Sequence, residues 1–472
     1  MSATLRSRLC QLLRLMGVCF FGVLTLIAVE DLTGYIAETG AGGAYAPWIW
    51  RAGLLAIAAL LFRFRDRWPR ALSIPSTAWL GLLLLFGLRL VVSIRMDAPL
   101  ISDFLEYHQL AIGLLHGGSW FSELRPMGYP LLLALAYKLG GVGPTSGEWL
   151  NVVLAVLTGI ALYGLGRRSG GPAAGTLAIW IFALAPSQIL TTAELGTEIA
   201  YAAVFMAAIW AAVEANTRWP LALVAGALLG LSQYVRPTSL ALVPAFLLLP
   251  WLAGLDWRKL VLRLTAFVAA FVLVLAPVAL YNHRVSGHWS LSTSNYGGWS
   301  LLVGTNQAHN GMWNVDDVAL TARFTDLRAK NAFALREGEH RLISDPLGFV
   351  ALAARKFPIM WASEDYATYW TMGTAPHPDE VAIANLNVLA QAFYVLVLLL
   401  ALLGVWRKRD DAGIQLILTI TGILVAVHSL LEVQSRYHYY MVPAFCLLAA
   451  LGLARDEAIA QSAAPVEELV AA

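Results

Sequence analysis

Carboxylates and an arginine lie close together in this sequence, directly after a long apolar run. Asp103, Glu106 and His108 follow the run that ends near Arg95, and Arg125 stands at the start of the next proline-containing turn. Placing an ionisable side chain at a membrane costs free energy, so residues found there are candidates for a functional role. These residue types fit a reaction in which an acidic group activates a hydroxyl and cations neutralise a phosphate leaving group.

Asp103 is the candidate base of such a reaction. A carboxylate next to an apolar cavity is expected to become more basic through desolvation, and it could then accept a proton from a hydroxyl nucleophile. The alternative is that Asp103 caps a helix beginning at Phe104, since a Ser-Asp pair is a good capping signal. The two roles are compatible, because a cap also holds a carboxylate rigidly.

Arginines stand at the entrance of several predicted helices. Arg125 and Arg236 each precede a proline, which suits the first turn of a helix, and Arg436 precedes Tyr437. The guanidinium group is always charged and donates in a fork that matches phosphate, so we expect these three arginines to bind phosphate. The alternative for each one taken singly is an arginine that extends to lipid headgroups.

Other polar residues could bind a substrate. Glu194 and Glu198 are four positions apart and share a face if their helix is continuous, so they could hold a cation or an acceptor sugar, or be solvated in a short loop. The stretch around Asn295 is rich in Asn, Gly and Trp, and it could bind sugar hydroxyls or form ordinary turns. The acids do not have the spacing of a recognised metal motif, so a divalent metal stays an open but unsupported alternative, and we expect no other cofactor.

The composition indicates a polytopic α-helical membrane protein. Hydrophobic residues make up 59% of the 472 residues and charged residues 13%, which is more apolar than soluble proteins at roughly 45–50%. Cys10, Cys19 and Cys446 show no spacing of a metal cage or disulfide framework. A net charge of +2 gives no indication of a nucleic-acid partner.

Apolar runs of about 20 residues predict roughly twelve membrane-spanning helices. The predicted spans are 15–37, 47–62, 76–95, 149–166, 173–192, 198–214, 220–235, 238–254, 260–281, 388–405, 413–431 and 438–454. With these spans the basic clusters all fall on one side, which the positive-inside rule assigns to the cytoplasm, together with both termini. The short run 127–140 breaks this pattern if it crosses, so we interpret it as a re-entrant or interfacial helix.

The same spans divide the chain into four parts. An N-terminal helical hairpin, 1–75, precedes a catalytic membrane module, 76–281, which contains a first outer loop, 96–148. A second outer region, 282–387, is expected to be a small ordered cap with a helical stretch at 319–342. Residues 388–472 supply the last helices and an Ala- and Glu-rich cytoplasmic tail that is expected to be loose after Arg455.

The order of these motifs resembles the GT-C membrane glycosyltransferases. The motifs are Asp103 and Tyr107, Arg125-Pro126-Met127-Gly128-Tyr129-Pro130, Arg236-Pro237, Gly297-Gly298, Gly304-Thr305-Asn306 and Arg436-Tyr437. In particular they are similar to the branch of protein mannosyltransferase-like and aminoarabinose-lipid A transferase-like enzymes, families 39 and 83. The chain departs in having Pro-Met where the family often has Pro-Pro, and three predicted helices before the catalytic loop where the family usually has one.

The resemblance implies a function and its site. A polyprenyl-phosphate sugar would be the donor, Asp103 the catalytic base in the first outer loop and Arg125 the contact to the donor phosphate, with Arg236 and Arg436 in similar roles. Direct displacement would invert the anomeric centre, and the acceptor would be a lipid, glycan or protein. The branch further implies a bacterial inner membrane, a periplasmic active site and a role in the cell envelope. The residues assigned to substrate binding are Glu106, Tyr107, His108, Tyr129, Glu194, Glu198, Asn295 and Tyr437.

Two other classes of function fit a polytopic membrane protein. A transporter or flippase of a lipid-linked glycan usually carries charges within its spans and internal repeats. Here the charges gather at one face and no repeat is found. A non-catalytic assembly protein would not require Asp103 and Arg125 together.

Overall fold

The computed structural model describes residues 3–40, 45–65, 69–407 and 411–454, which are helical with short connections and contain no β-strand. The tail predicted to be loose after Arg455 lies outside the described residues. Asp66 and Arg67 of the basic cluster 63–67 and Lys408 and Arg409 of the basic cluster 407–409 also lie outside them.

The first half of the chain forms the helices that lead to and from the first outer loop. In chain order they are α1 (Ala3–Glu38), α2 (Ala46–Arg63), α3 (Pro69–Leu72), α4 (Pro75–Arg95), α5 (Ser102–Leu115), α6 (Gly128–Gly140), α7 (Pro144–Leu184), α8 (Pro186–Leu190), α9 (Thr197–Glu214), α10 (Leu221–Val235), α11 (Ser239–Leu252) and α12 (Trp257–Ser286).

The second half forms the outer region and the last membrane helices. They are α13 (Gly297–Gly304), α14 (Val315–Thr321), α15 (Leu327–Ser344), α16 (Pro346–Trp361), α17 (Tyr366–Thr368), α18 (Glu380–Arg407), α19 (Ala412–Leu430) and α20 (Val442–Leu453). A 3₁₀ turn, Ser435–Met441, precedes α20 and is important for the site described below.

The predicted spans correspond to helical segments. Among the described residues, eight helices are long and apolar enough to cross a membrane, and α10 and α11 are shorter apolar helices. One of the eight, α7, contains the predicted span 149–166 and the first part of the span 173–192, because the chain turns at Gly171, which has a φ of 81°. The rest of the second span lies in α8 and the turn that follows it. A Cβ atom at Gly175 would lie 2.6 Å from the carbonyl oxygen of Tyr163, so the two halves run antiparallel. The all-α polytopic membrane architecture is therefore confirmed.

The outer region is connected to the bundle by a helix that the sequence pattern did not single out. The predicted stretch 319–342 corresponds to α15, which begins later, at Leu327. The next helix, α16, packs between α1 and α19, where Phe357 and Trp361 make edge contacts with Phe20, at centroid distances of 5.7 and 5.1 Å. The run 127–140 forms α6, a helix of 13 residues, and its interfacial position stays a prediction.

Candidate active site

Asp103 lies in the first turn of α5 and is bound by two arginines. Its Oδ1 atom accepts a hydrogen bond of 2.6 Å from Nη2 of Arg125, and its Oδ2 atom accepts one of 2.5 Å from Nη2 of Arg436. The residue before the helix is Ile101, and no side chain caps the helix. The interpretation of Asp103 as a helix cap is therefore wrong, because both carboxylate oxygens are turned to guanidinium groups.

Arg125 joins the two acids of α5. Its Nε atom donates to Oε2 of Glu106 at 2.8 Å, while Nη2 binds Asp103. The hydroxyl of Ser122 accepts the backbone N–H of Arg125 at 3.2 Å and so fixes the turn that carries it. The predicted proximity of the first acidic cluster and this arginine is therefore present in the fold.

A second ion pair lies beside the first. Nη2 of Arg236 donates to Oε1 of Glu198 at 2.8 Å, and Nε donates to the hydroxyl of Thr197 at 2.9 Å. The same Glu198 oxygen lies 3.7 Å from Nε of Arg436, and the Tyr437 ring faces both guanidinium groups at 5.4 and 5.9 Å. The fold thus brings together three arginines from distant parts of the sequence.

The arginines determine the charge of Asp103. Burial raises the pKa of this carboxyl, but Arg436 and Arg125 lower it by more, and the pKa is below its usual value. The expectation that desolvation makes Asp103 more basic is therefore wrong for this arrangement, in which Asp103 is an ionised partner of two cations.

Glu194 and Glu198 have different surroundings. Glu194 lies in extended backbone before α9 begins at Thr197, so the helix that would align the two acids is not continuous. Burial, and then the charge of Glu198, raise the pKa of Glu194 well above its usual value, and its buried Oε1 atom has no hydrogen-bond partner in the described structure. In the described residues no group of three or more His, Cys, Asp or Glu side chains could hold a metal ion.

Two cavities meet at Asp103. The first, which we call the arginine cavity, has a volume of about 340 Å³ and reaches to Arg236 and Thr238. The second, the aromatic cavity, has a volume of about 620 Å³ and is lined by tyrosine and tryptophan side chains of residues 366–370 and by Trp313. Their common wall consists of Asp103, Arg125, Tyr296, Glu432, Arg436 and Tyr437.

The other candidate residues divide into two groups. Tyr107 and Tyr437 line the arginine cavity. Three residues lie outside both cavity walls: His108 hydrogen-bonds the Tyr137 hydroxyl at 2.7 Å, Tyr129 donates to Asn151, and Asn295 donates its backbone N–H to Glu123. For these three the structure shows contacts within the protein, and their roles in substrate binding stay predictions.

Glu432 is part of the site, although no role was predicted for it from the sequence. It lines both cavities, and its Oε1 atom accepts a hydrogen bond of 2.7 Å from Nε2 of Gln434. Burial raises the pKa of Glu432. The sequence signal was its place among ionisable residues at the end of an apolar run, close to Arg436. The aromatic cavity could have been suspected from Tyr366, Tyr369 and Trp370.

Lys356 holds the segment before Glu432 in place. Its Nζ atom donates to the carbonyl oxygens of Gly304, Ser429 and Leu431 at 2.9, 2.9 and 2.6 Å. Three acceptors satisfy all three donors of an ammonium group. The buried lysine therefore ties α16 to the end of α13 and to the end of α19, where the cavity wall begins.

An apolar groove runs along the bundle from Lys356 and the end of α19. It has a volume of about 720 Å³, lies between α1, α16 and α19, and is lined by side chains from Met16 to Ile27 and from Leu418 to Ser429. His428 lines both the groove and the arginine cavity. The groove therefore meets the site at this histidine.

One family model matches part of this chain. Residues 124–281 match the family model of dolichyl-phosphate-mannose-protein mannosyltransferases. The matched part includes Arg125, Glu198 and Arg236. No curated protein sequence matches this chain.

Solved structures with a similar arrangement are distant in sequence. The oligosaccharyltransferase of Archaeoglobus fulgidus, in complex with Zn and sulfate, is 15% identical, with a TM-score of 0.48 over 82% of this chain and 51% of that one. ArnT from Cupriavidus metallidurans, bound to undecaprenyl phosphate, is 15% identical, with a TM-score of 0.37 over 80% of this chain and 77% of that one. The chain thus spans about half the length of the oligosaccharyltransferase.

The described helices form a polytopic membrane architecture. Part of the chain is similar to a glycosyltransferase family, in line with the resemblance seen in the sequence. The family match covers residues 124–281, from the turn of Arg125 to the end of the predicted span in α12.

Proposed function

We propose that this protein transfers a sugar from a polyprenyl-phosphate donor to an acceptor hydroxyl, with inversion at the anomeric carbon. The observation that carries the proposal is the position of Asp103 on the wall shared by two cavities, within hydrogen-bonding distance of two arginines. One cavity supplies cations for a phosphate, and the other supplies space for a second substrate.

The donor occupies the arginine cavity and the apolar groove. Arg125, Arg236 and Arg436 offer fork-shaped donors to the phosphate. The prenyl chain follows the groove from His428 toward Met16, since the groove is apolar and His428 lines both the groove and the cavity. Its lining extends along α19 from Leu418 to Ser429, which corresponds to roughly 16 Å of helix at ~1.5 Å per residue.

Donor binding changes the role of Asp103. The phosphate competes with this carboxylate for Arg125 and Arg436, and Asp103 loses the charges that lower its pKa. The freed carboxylate accepts the acceptor's hydroxyl proton while the acceptor oxygen bonds to the anomeric carbon. The bond between that carbon and the phosphate oxygen breaks, and the phosphate keeps the electron pair, which the arginines stabilise.

The acceptor enters through the aromatic cavity and is a lipid, glycan or protein. We assign the site to the outer, periplasmic face of a bacterial inner membrane, with both termini cytoplasmic, on the basis of the basic clusters at the opposite helix ends. In this assignment 76–281 is the catalytic module, 282–387 the outer region, and 1–75 and 388–472 the flanking membrane segments.

The test is transfer from a synthetic polyprenyl-phosphate sugar in liposomes, comparing wild type with Asp103→Asn. We expect the variant to bind the donor and to lose at least roughly 100-fold in transfer rate. The matched control is Asp316→Asn, an exposed acid that pairs with His309 outside both cavities. Transfer at the wild-type rate by Asp103→Asn would remove this residue from the mechanism. Donor binding without transfer by wild type, across a panel of sugars, would favour a transporter.

A further inference from the structure

A third large cavity lies at the end of the bundle opposite Asp103. It has a volume of about 820 Å³, and we call it the N-terminal cavity because the start of α1 forms one wall. Helix α9 shows the separation: Thr197 lines the arginine cavity and Val213 lines the N-terminal cavity. At ~1.5 Å per residue the two lie roughly 24 Å apart along the helix. The proposed transfer reaction therefore does not use this cavity.

The N-terminal cavity is positively charged. Arg6 and Arg14 of α1 line it, together with Arg168 from the turn within α7. Among the described residues of the lining, Asp411 is the one acid, and its Oδ1 atom accepts a hydrogen bond from the backbone N–H of Ile414 at the start of α19. The cavity thus holds an excess of positive charge in a protein whose net charge is +2.

Among the described residues, two of the three guanidinium groups make no hydrogen bond or ion pair. Arg14 donates to the carbonyl oxygen of Trp406 at 3.1 Å and lies over its ring. For Arg6 and Arg168, the part of the chain that the structure describes provides no hydrogen bond or ion pair. Their donors are therefore available to a ligand in the cavity.

Arg6 is held in position by the turn between α11 and α12. Gly254 has a φ of +77°, and a Cβ atom built there would lie 1.9 Å from Nη1 of Arg6. The guanidinium group thus packs directly on the glycine backbone, next to the cavity residues Ala253 and Leu255.

We propose that the N-terminal cavity binds the phosphate headgroup of an anionic membrane lipid. Arginine pairs with phosphate through two parallel hydrogen bonds, and anionic lipids attract basic groups at the membrane surface. Val213, Leu252 and Leu255 are apolar residues of the cavity lining. They offer apolar surface to the acyl chains of such a lipid, which a free phosphate ion does not use.

The test measures lipid binding to the purified full-length protein in phosphatidylcholine nanodiscs. The probes are phosphatidylglycerol and, separately, inorganic phosphate, and binding is followed by native mass spectrometry. We expect Arg6→Gln/Arg168→Gln to bind phosphatidylglycerol roughly tenfold more weakly than wild type. The matched control is Arg258→Gln/Lys259→Gln, which removes two charges outside the cavity lining, near the Gly254 turn.

The outcomes separate the proposal from its rivals. Equal binding by wild type and Arg6→Gln/Arg168→Gln would overturn it, as would an equal loss in the control, which would indicate general surface attraction. Inorganic phosphate binding as tightly as the lipid would overturn the assignment to a lipid. Each variant is first shown to elute and unfold like wild type in phosphatidylcholine alone. Because binding is measured without sugar transfer, the result is independent of the proposed function.

Discussion

Asp103 and Arg436 are 333 positions apart in the sequence, and their side chains form an ion pair of 2.5 Å. Arg436 lies in the 3₁₀ turn before α20, and Asp103 lies in the first turn of α5. Arg125 binds the other oxygen of the same carboxylate. The first outer loop and the end of the last loop are therefore joined at the residue that we propose as the base.

Replacing Arg436 by Lys tests the forked geometry of this pair. Lysine keeps the charge but cannot bind Asp103 and a donor phosphate through a planar fork. We expect Arg436→Lys to lower kcat by roughly 100-fold with a smaller change in KM, because the stabilisation is needed when charge develops on the leaving phosphate. Steady-state transfer kinetics measure both values. Arg355→Lys, on the exposed side of α16, is the control.

Asp103 and Glu432 are expected to affect stability with opposite signs as pH changes. The pKa of Asp103 is lowered by its arginines, so its contribution to stability is present above its usual pKa of 3.8 and is lost as pH falls through the lower, folded value. The pKa of Glu432 is raised by burial from a usual 4.5, so its contribution is full below 4.5 and is lost as pH rises through the higher, folded value.

The variants Asp103→Asn and Glu432→Gln test the direction in which each residue's contribution to stability changes with pH. In thermal unfolding across pH 4 to 8, we expect Glu432→Gln to raise Tm near neutrality by roughly 2 °C and to flatten the curve on the weakly acidic side. Asp103→Asn is expected to lower Tm near neutrality, because Arg125 and Arg436 then lack their counter-charge. A neutral-pH Tm of Glu432→Gln below that of wild type would contradict the raised pKa.

Replacing Lys356 by Met tests the attachment of the outer region. The change leaves the carbonyl oxygens of Gly304, Ser429 and Leu431 without the donor they share. We expect a loss of roughly 2–3 kcal/mol in stability, since buried polar groups without partners are costly. Protease sensitivity of 297–361 should rise together with the loss of Tm. Lys330→Met, over the Trp299 ring in the same region, serves as the comparison.

Filling the apolar groove tests the path of the prenyl chain. A Cβ atom at Gly422 meets only Met16, at 3.6 Å, so a phenylalanine there extends into the groove. We expect Gly422→Phe to raise KM for a long-chain donor roughly tenfold and to leave KM for a donor of two prenyl units unchanged. Gly87→Phe in α4, where a Cβ atom meets nothing within 4 Å, is the control. The same rise in KM for both donors would exclude the groove as the chain site.

The helices could be predicted because their signals are local. An apolar run long enough to cross a membrane must form a helix to satisfy its own backbone, wherever it lies in the fold. The reversal within α7 was readable for the same reason, since Arg167 and Arg168 interrupt two such runs. Helix α16 was harder to predict, because its apolar residues are fewer and contact α1 from far along the chain.

The sequence indicated the acids and arginines that the fold brings together, but not their electrostatics. The sequence by itself determined the membrane helices, the acids and arginines at their ends, and a resemblance that the family match over residues 124–281 supports. Only the tertiary structure decided that two arginines share Asp103, that Glu432 lines both cavities and that the groove meets the site at His428. The physical reason is that apolar run length is a property of one segment, whereas a pKa and a cavity depend on distances between segments that only packing sets.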